Sequence, residues 1–258
     1  MQDVTYDQKV YGIPQFFQTS QLLANSEVMQ RAAENVQALT WLKQLVDAQG
    51  GYAKVKSFKD TMDVFGDQNQ YVKDQVGVQT WAQWYINVLA NTSDKVSVEG
   101  VPLRDKDGKA FGMAGGSAFA VTKAAKNPTA ACAWALEVTS PEAWKAAGDA
   151  RAQTVEQKKA INTGLFTGSP EADQEVRTSH VKASGKADFD QLIETSYQAL
   201  GNPVPLGASP VGQQVDSALG NAVIIALGGE KSPQVALEEA QATAMRAWQQ
   251  SVLGKKLG

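Results

Sequence analysis

From Asn25 to the Gly50-Gly51 pair, apolar residues Met29, Ala32, Val36, Leu39, Leu42 and Val46 recur at steps of three and four. That is the period of a helix with one buried face. Asn25 is a good N-cap and the two glycines a good stop. The same period carries Val211, Val215, Leu219, Val223 and Leu227, then a stretch from Pro233 to Val252 headed by Ser232, and a shorter one over 188–200. Asn127-Pro128 and Ser140-Pro141 each join an N-cap residue to a proline, whose missing N–H costs nothing at the first helical position, so two further helices should start there.

Strand signals are fewer. Residues 4–14 set a polar turn between β-favouring residues and end in Gly-Ile-Pro, which reads as an extended connector. Residues 96–103 alternate, Asp105-Lys106-Asp107-Gly108 predicts a turn, and a strand is expected over 117–121, with Gly112-Met113-Ala114-Gly115-Gly116 between them. Residues 77–84 suggest a short strand running into a turn or helix that bears Trp81 and Trp84. The proline-rich run 201–210 predicts a stiff extended segment, suited to a hinge or a ligand-facing loop. Some four strands among long helical patterns favour α/β layering over a β-sandwich.

Composition narrows the function. With 258 residues, 43% hydrophobic and 20% charged, the chain can bury one large core or two smaller ones. A net charge of −3 with no long basic run argues against nucleic acid. No apolar stretch approaches the roughly 20 residues that span a bilayer, the longest being 222–227. The single cysteine, Cys132, lies among alanines and is expected to be a small buried hydrophobe. One histidine, His180, offers neither a zinc set nor a Ser-His-Asp constellation, and no pair of carboxylates stands out for glycosidase chemistry. Neither a metal nor a cofactor is implied. Met1-Gln2-Asp3 lacks the marks of a secretory signal, so the chain is expected to be cytosolic or to have lost its leader.

The motifs in order resemble family 1 extracellular solute-binding proteins of ABC importers, the maltose-binding-protein-like sugar receptors. Tyr6-Asp7-Gln8-Lys9-Val10-Tyr11-Gly12-Ile13-Pro14 looks like the segment where that family's chain first crosses between lobes, with Gln8 in place of the usual glycine. Gln79-Thr80-Trp81 echoes a Gly-x-Trp element on the cleft floor, its glycine displaced to Gly77. Gly115-Gly116-Ser117-Ala118-Phe119-Ala120-Val121, then Lys126-Asn127-Pro128-Thr129-Ala130-Ala131 and Thr139-Ser140-Pro141-Glu142-Ala143, is similar to the family's glycine-strand-helix block. The last two helices, with Gly228-Gly229 between them, look like its terminal pair.

The resemblance implies an α/β, periplasmic-binding-protein-like (type II), helix-rich fold in an incomplete two-lobed form that lacks most of the N-terminal lobe. Residues 12–92 and 165–258 would be C-terminal-lobe-like, and 1–11 and 93–164 a remnant of the N-terminal lobe. The chain would capture a mono- or oligosaccharide, hand it to a membrane permease and do no chemistry. The full-length protein would be periplasmic or extracellular and lipid-anchored, its signal lying outside this chain. Alternatives are a reduced or engineered scaffold that folds without binding and an enzyme on the same fold.

Sugar receptors stack aromatic rings on pyranose faces and hydrogen-bond the hydroxyls. The candidate ligand-binding residues are therefore Gln15, Phe16 and Phe17 beyond the crossover, Trp81 and Trp84, and Gly115, Gly116 and Ser117 as backbone donors on a tight turn. Trp41, Trp134, Trp144 and Trp248 lie in helical patterns and are expected in the core.

Overall fold

The structure, a computed structural model, describes residues 5–6, 9–10, 13–19, 32–105, 107–201, 203–205 and 209–256. Two compact units emerge, one from 1–22 with 63–207, the other from 23–62 with 208–258. Both cross the boundaries of the lobes expected from the resemblance.

The second unit is helical: α1 (Ala32–Ala48), α2 (Tyr52–Asp60), α8 (Gly212–Leu227) and α9 (Pro233–Lys256). Leu39 packs with Ala222, Ala226, Ala236 and Ala240, and the small side chains let helix backbones approach closely. The helix signalled by the 25–51 pattern is present from Ala32, while its expected start at Asn25 lies outside the described residues. Its stop is as read: Gly50 and Gly51 take φ of 102° and 90°, the left-handed region that glycine enters without Cβ strain. The Ser232 hydroxyl accepts from the Val235 N–H at 3.3 Å, capping α9 as expected. Trp41 corrects the sequence reading, being 62% exposed, because it lies two residues from Leu39 and so on the opposite face of α1. The short helix α2 was not anticipated; it buries no residue and has no side-chain cap, so neither signal marks it.

The first unit carries the strands. β1 (Thr5–Tyr6) pairs antiparallel with β2 (Lys9–Val10). β5 (Ala110–Phe119) is central to the other sheet, pairing antiparallel with β3 (Ile13–Thr19) and β4 (Leu103–Arg104) and parallel with β6 (Pro203–Pro205). The predicted turn at Asp105 forms: its carboxylate accepts from the N–H groups of Asp107 and Lys109, each at 2.9 Å. The strand after it starts at Ala110, not at Ser117, so the glycine-rich run is strand interior. Part of the supposed hinge at 201–210 is likewise a strand, β6; residues 202 and 206–208 lie outside the described set.

Residues 96–102 alternate as a strand should, yet form none. Val98 and Gly100 turn their backbone groups to helix α7 (Ala187–Leu200) instead: Val98 N–H donates to Asp188, Gly100 N–H to the Gln191 side chain, and Gly100 C=O accepts from Gln191 and Thr195. A Cβ at Gly100 would stand 2.8 Å from Leu192 Cδ1, so glycine permits the approach.

A 3-10 turn (Gln83–Tyr85) leads into α3 (Ile86–Ala90). Helices α4 (Pro128–Val138) and α5 (Pro141–Lys158) start where the sequence predicts, Asn127 accepting from Ala130 N–H and Ser140 from Ala143 N–H. Helix α6 (Pro170–His180) starts on the same device at Ser169, which accepts from Ala172 N–H. On α4 the covered face runs through Ala131, Ala135 and Val138; Cys132 and Trp134 fall beside it and are exposed, against expectation. Helices α5 and α6 meet at Gly148, where a Cβ would lie 2.5 Å from Val176 Cγ2, and the pairs Lys145–Glu175 and Asp149–His180, both at 2.7 Å, flank the contact. Among the described residues no helix is long and apolar enough to cross a membrane.

Candidate functional site

A cleft of about 460 Å³ opens in the strand-bearing unit. Residues 77–83 with Tyr71, Tyr85, Ile86 and Leu89, residues 98–103, Phe111–Met113 of β5, and Leu192, Thr195, Ser196 and Ala199 of α7 line it. The aromatic part of this lining follows from the turn before α3. Ala82 is extended, at φ −73° and ψ 150°, and the 3-10 turn then folds Tyr85 back under Trp81. The two rings stack at 4.4 Å between centroids with an interplanar angle of 14°. Trp84 meets Trp81 and Tyr85 edge-on at 5.8 and 5.7 Å and stacks on Phe65 at 5.8 Å. Such offset and edge contacts suit the ring quadrupoles and rigidify the cluster.

Polar bonds anchor Tyr85, which is 2% exposed. Its hydroxyl donates to Val64 C=O and accepts from Gln70 Nε2, each at 2.9 Å; Gln70 Nε2 also donates to Gln79 Oε1 at 3.1 Å. Nearby, the fully buried Asn69 accepts from the N–H groups of Tyr71 and Val72 and donates to Thr92. Burial pushes the Tyr71 phenol up to about 12, with a smaller contribution from Tyr85, and burial also raises Tyr85. Both rings thus stay neutral at physiological pH and keep their hydroxyl protons. Among the described residues, Trp81 Nε1 and Gln70 Oε1 are buried and meet no hydrogen-bond partner, and an unmet buried group costs about 1–3 kcal/mol.

The polar lining consists of amides and hydroxyls, with Glu99 the one carboxylate among these residues. Thr195 and Ser196 spend their hydroxyl protons on Gly100 C=O and Leu192 C=O, so they shape the wall more than they offer donors. Among the described residues no group of His, Cys, Asp and Glu could hold a metal ion. Aromatic faces, amides and a carboxylate suit a compound that carries both apolar faces and hydroxyls.

The structure divides the sequence-selected residues. Trp81 lines the cleft, whereas Trp84 does not and leans on Phe65. Phe16 pairs with Ser117 and Phe17 with Gly116 across β3 and β5, and Gln15 falls at a register shift between Pro14 and Phe16. Gly115, Gly116 and Ser117 therefore sit within a strand, which replaces the tight turn expected of them. Sequence reasoning passed over Tyr71, Gln79, Phe111, Met113, Thr195 and Ser196. Along α7 a signal was available: Leu192, Thr195, Ser196 and Ala199 follow helical steps on one face, and two of them are buried hydroxyl residues.

No protein-family profile matches the chain, and no curated protein does. Solved structures do. CpMnBP1 with mannotriose bound aligns with a TM-score of 0.62 at 14% identity, over 93% of this chain and 74% of that one. A sugar transporter from Rhizobium etli in an open conformation gives 0.57 at 13% identity, over 94% and 74%. An ABC transporter solute-binding protein from Thermotoga lettingae bound with alpha-D-tagatose gives 0.54 at 16% identity, over 93% and 73%. The chain has the fold of these structures, a helix-rich, type II periplasmic-binding-protein-like α/β fold, and spans about three quarters of their length.

Proposed function

We propose that this chain is a family 1 solute-binding receptor of an ABC importer, which captures a mono- or oligosaccharide and delivers it to a membrane permease without doing chemistry on it. The observation that carries the proposal is the make-up of the cleft. Its walls at 71–89 and 192–199 belong to the segments assigned to the C-terminal lobe (12–92 and 165–258), and those at 98–103 and 111–113 to the N-terminal remnant (1–11 and 93–164). In this reading the ligand sits where the two meet, and the lobes close about crossings near 12–14, near 91–95 and after α5. Trp81 offers an aromatic surface, Gln79 and Glu99 offer hydrogen bonds to hydroxyls, and the sugars bound by proteins of the same fold support the choice of ligand. A receptor of this kind works outside the cytoplasmic membrane, held there by a lipid anchor.

Thermal unfolding with and without mannobiose, mannotriose, maltose and tagatose tests the proposal. A ligand present at about 100 times its dissociation constant stabilises the native state by about 2.7 kcal/mol, roughly 5–10 °C for a chain of this size. A cooperative transition that none of the sugars moves points to a scaffold that folds without binding. Turnover of any of them makes it an enzyme.

A further inference from the structure

Arg151 on α5 does not line the cleft, yet it joins two of the elements that do. Its Nη2 donates to Asn87 Oδ1 and to Thr163 Oγ1, the latter at 3.0 Å, and the Thr163 hydroxyl in turn donates to Asn87 Oδ1 at 2.6 Å. Asn87 is the second residue of α3, directly after Ile86 and two after Tyr85, both of which line the cleft. A five-residue helix is far too short to hold its own direction. Thr163, only 1% exposed, also accepts at its carbonyl from the Tyr197 hydroxyl at 3.4 Å, and Tyr197 follows the cleft residue Ser196 on α7. The next residue, Gly164, is at φ 78°, where a Cβ would stand 2.0 Å from Tyr197 Oη. The connector between α5 and α6 is thereby closed against α7, with α3 tied to it through the guanidinium.

Arg151 is half-buried, and among the described residues no carboxylate pairs with it: its acceptors are an amide and a hydroxyl, and the burial it has lowers its pKa. A desolvated cation of this kind adds little net stability, and an apolar side chain of similar size replaces it at small cost. The two N–H bonds of its Nη2, fixed in the guanidinium plane, do something else well, which is to hold two acceptors at a set spacing. We infer that Arg151 is a positioning residue that sets the separation between α3, under the aromatic floor of the cleft, and the α7 wall. The inference deepens the reading of this cleft as the saccharide site and rests on it.

Arg151→Met and Arg151→Lys in the full chain test it by calorimetric titration with mannobiose and by ¹⁹F NMR of 5-fluorotryptophan-labelled protein, the Trp81 signal being assigned by its loss in Trp81→Phe. Arg151→Met is expected to stay cooperatively folded, shift the Trp81 signal and weaken mannobiose about tenfold, the size of one hydrogen bond to a charged group. Arg151→Lys should recover part of both. Wild-type affinity and an unmoved Trp81 signal in Arg151→Met overturn the inference. If the unaltered chain binds no mannobiose, the saccharide reading fails with that ligand and the Trp81 signal alone decides the positioning role. Should Arg151→Met not fold, Thr163→Val removes the shared hydroxyl and is read by the same two outcomes.

Discussion

The helical unit closes on alanines around Leu39, whereas the strand-bearing unit is built on Tyr85 and Phe189 and contains all eight buried polar residues found among the described residues. One core is made of close backbone approach, the other of large rings held by amides and hydroxyls. Alanine contacts demand little beyond spacing, so many sequences would satisfy them. A buried amide must meet its partners at set distances and angles, and that demand places side chains accurately enough to form a site. The cleft lies in the unit that makes the costlier demand.

Three changes test how different the two cores are. The largest effect is expected from Phe189→Ala, which empties a fully buried position of the aromatic core and should cost about 3–5 kcal/mol, read by chemical denaturation. Ala226→Leu should destabilise by about 1–3 kcal/mol through overpacking where α8 has no room; an unchanged midpoint would mean the alanine core is loose, and the contrast between the units would weaken. The smallest effect is a change of pH profile. Asp173 accepts the Thr167 N–H with both oxygens, at 2.8 and 3.1 Å, yet burial outweighs those bonds and raises its pKa from 3.8 to about 6. The folded state thus holds its proton where the unfolded state has released it, so this carboxyl's contribution to stability falls as pH rises from about 4 to 6 and levels off above. Asp173→Asn should remove that decline, as unfolding midpoints measured at pH 4, 5, 6 and 7 will show. A variant that keeps the wild-type slope places the decline elsewhere.

What could be read from the sequence was what local chemistry decides. Asn127, Ser140 and Ser232 cap the helices their prolines announce, and Gly50-Gly51 ends α1, because each acts within a few residues of itself. Ser169-Pro170 carries the same signal and opens α6, a helix that the pattern could have predicted. The failures are tertiary. Residues 96–102 look like a strand, but Val98 and Gly100 give their backbone groups to α7, and Gly115, Gly116 and Ser117 look like a tight turn but are held extended by pairing with β3. Trp81 was found from its motif, while the rest of the cleft arrives from four segments that only the fold brings together. Trp41, Trp134 and Cys132 show the converse, that a residue type common in cores says little about which face of a helix it occupies.

Gly148 has a consequence for anyone who would stabilise this protein. Helix propensity marks an interior glycine as the first position to change, since alanine there is worth about 1 kcal/mol. In this helix the added methyl would strike Val176, so a propensity-guided library would rank among its best candidates a substitution that pries α5 from α6. The gap in the side-chain row is the contact itself.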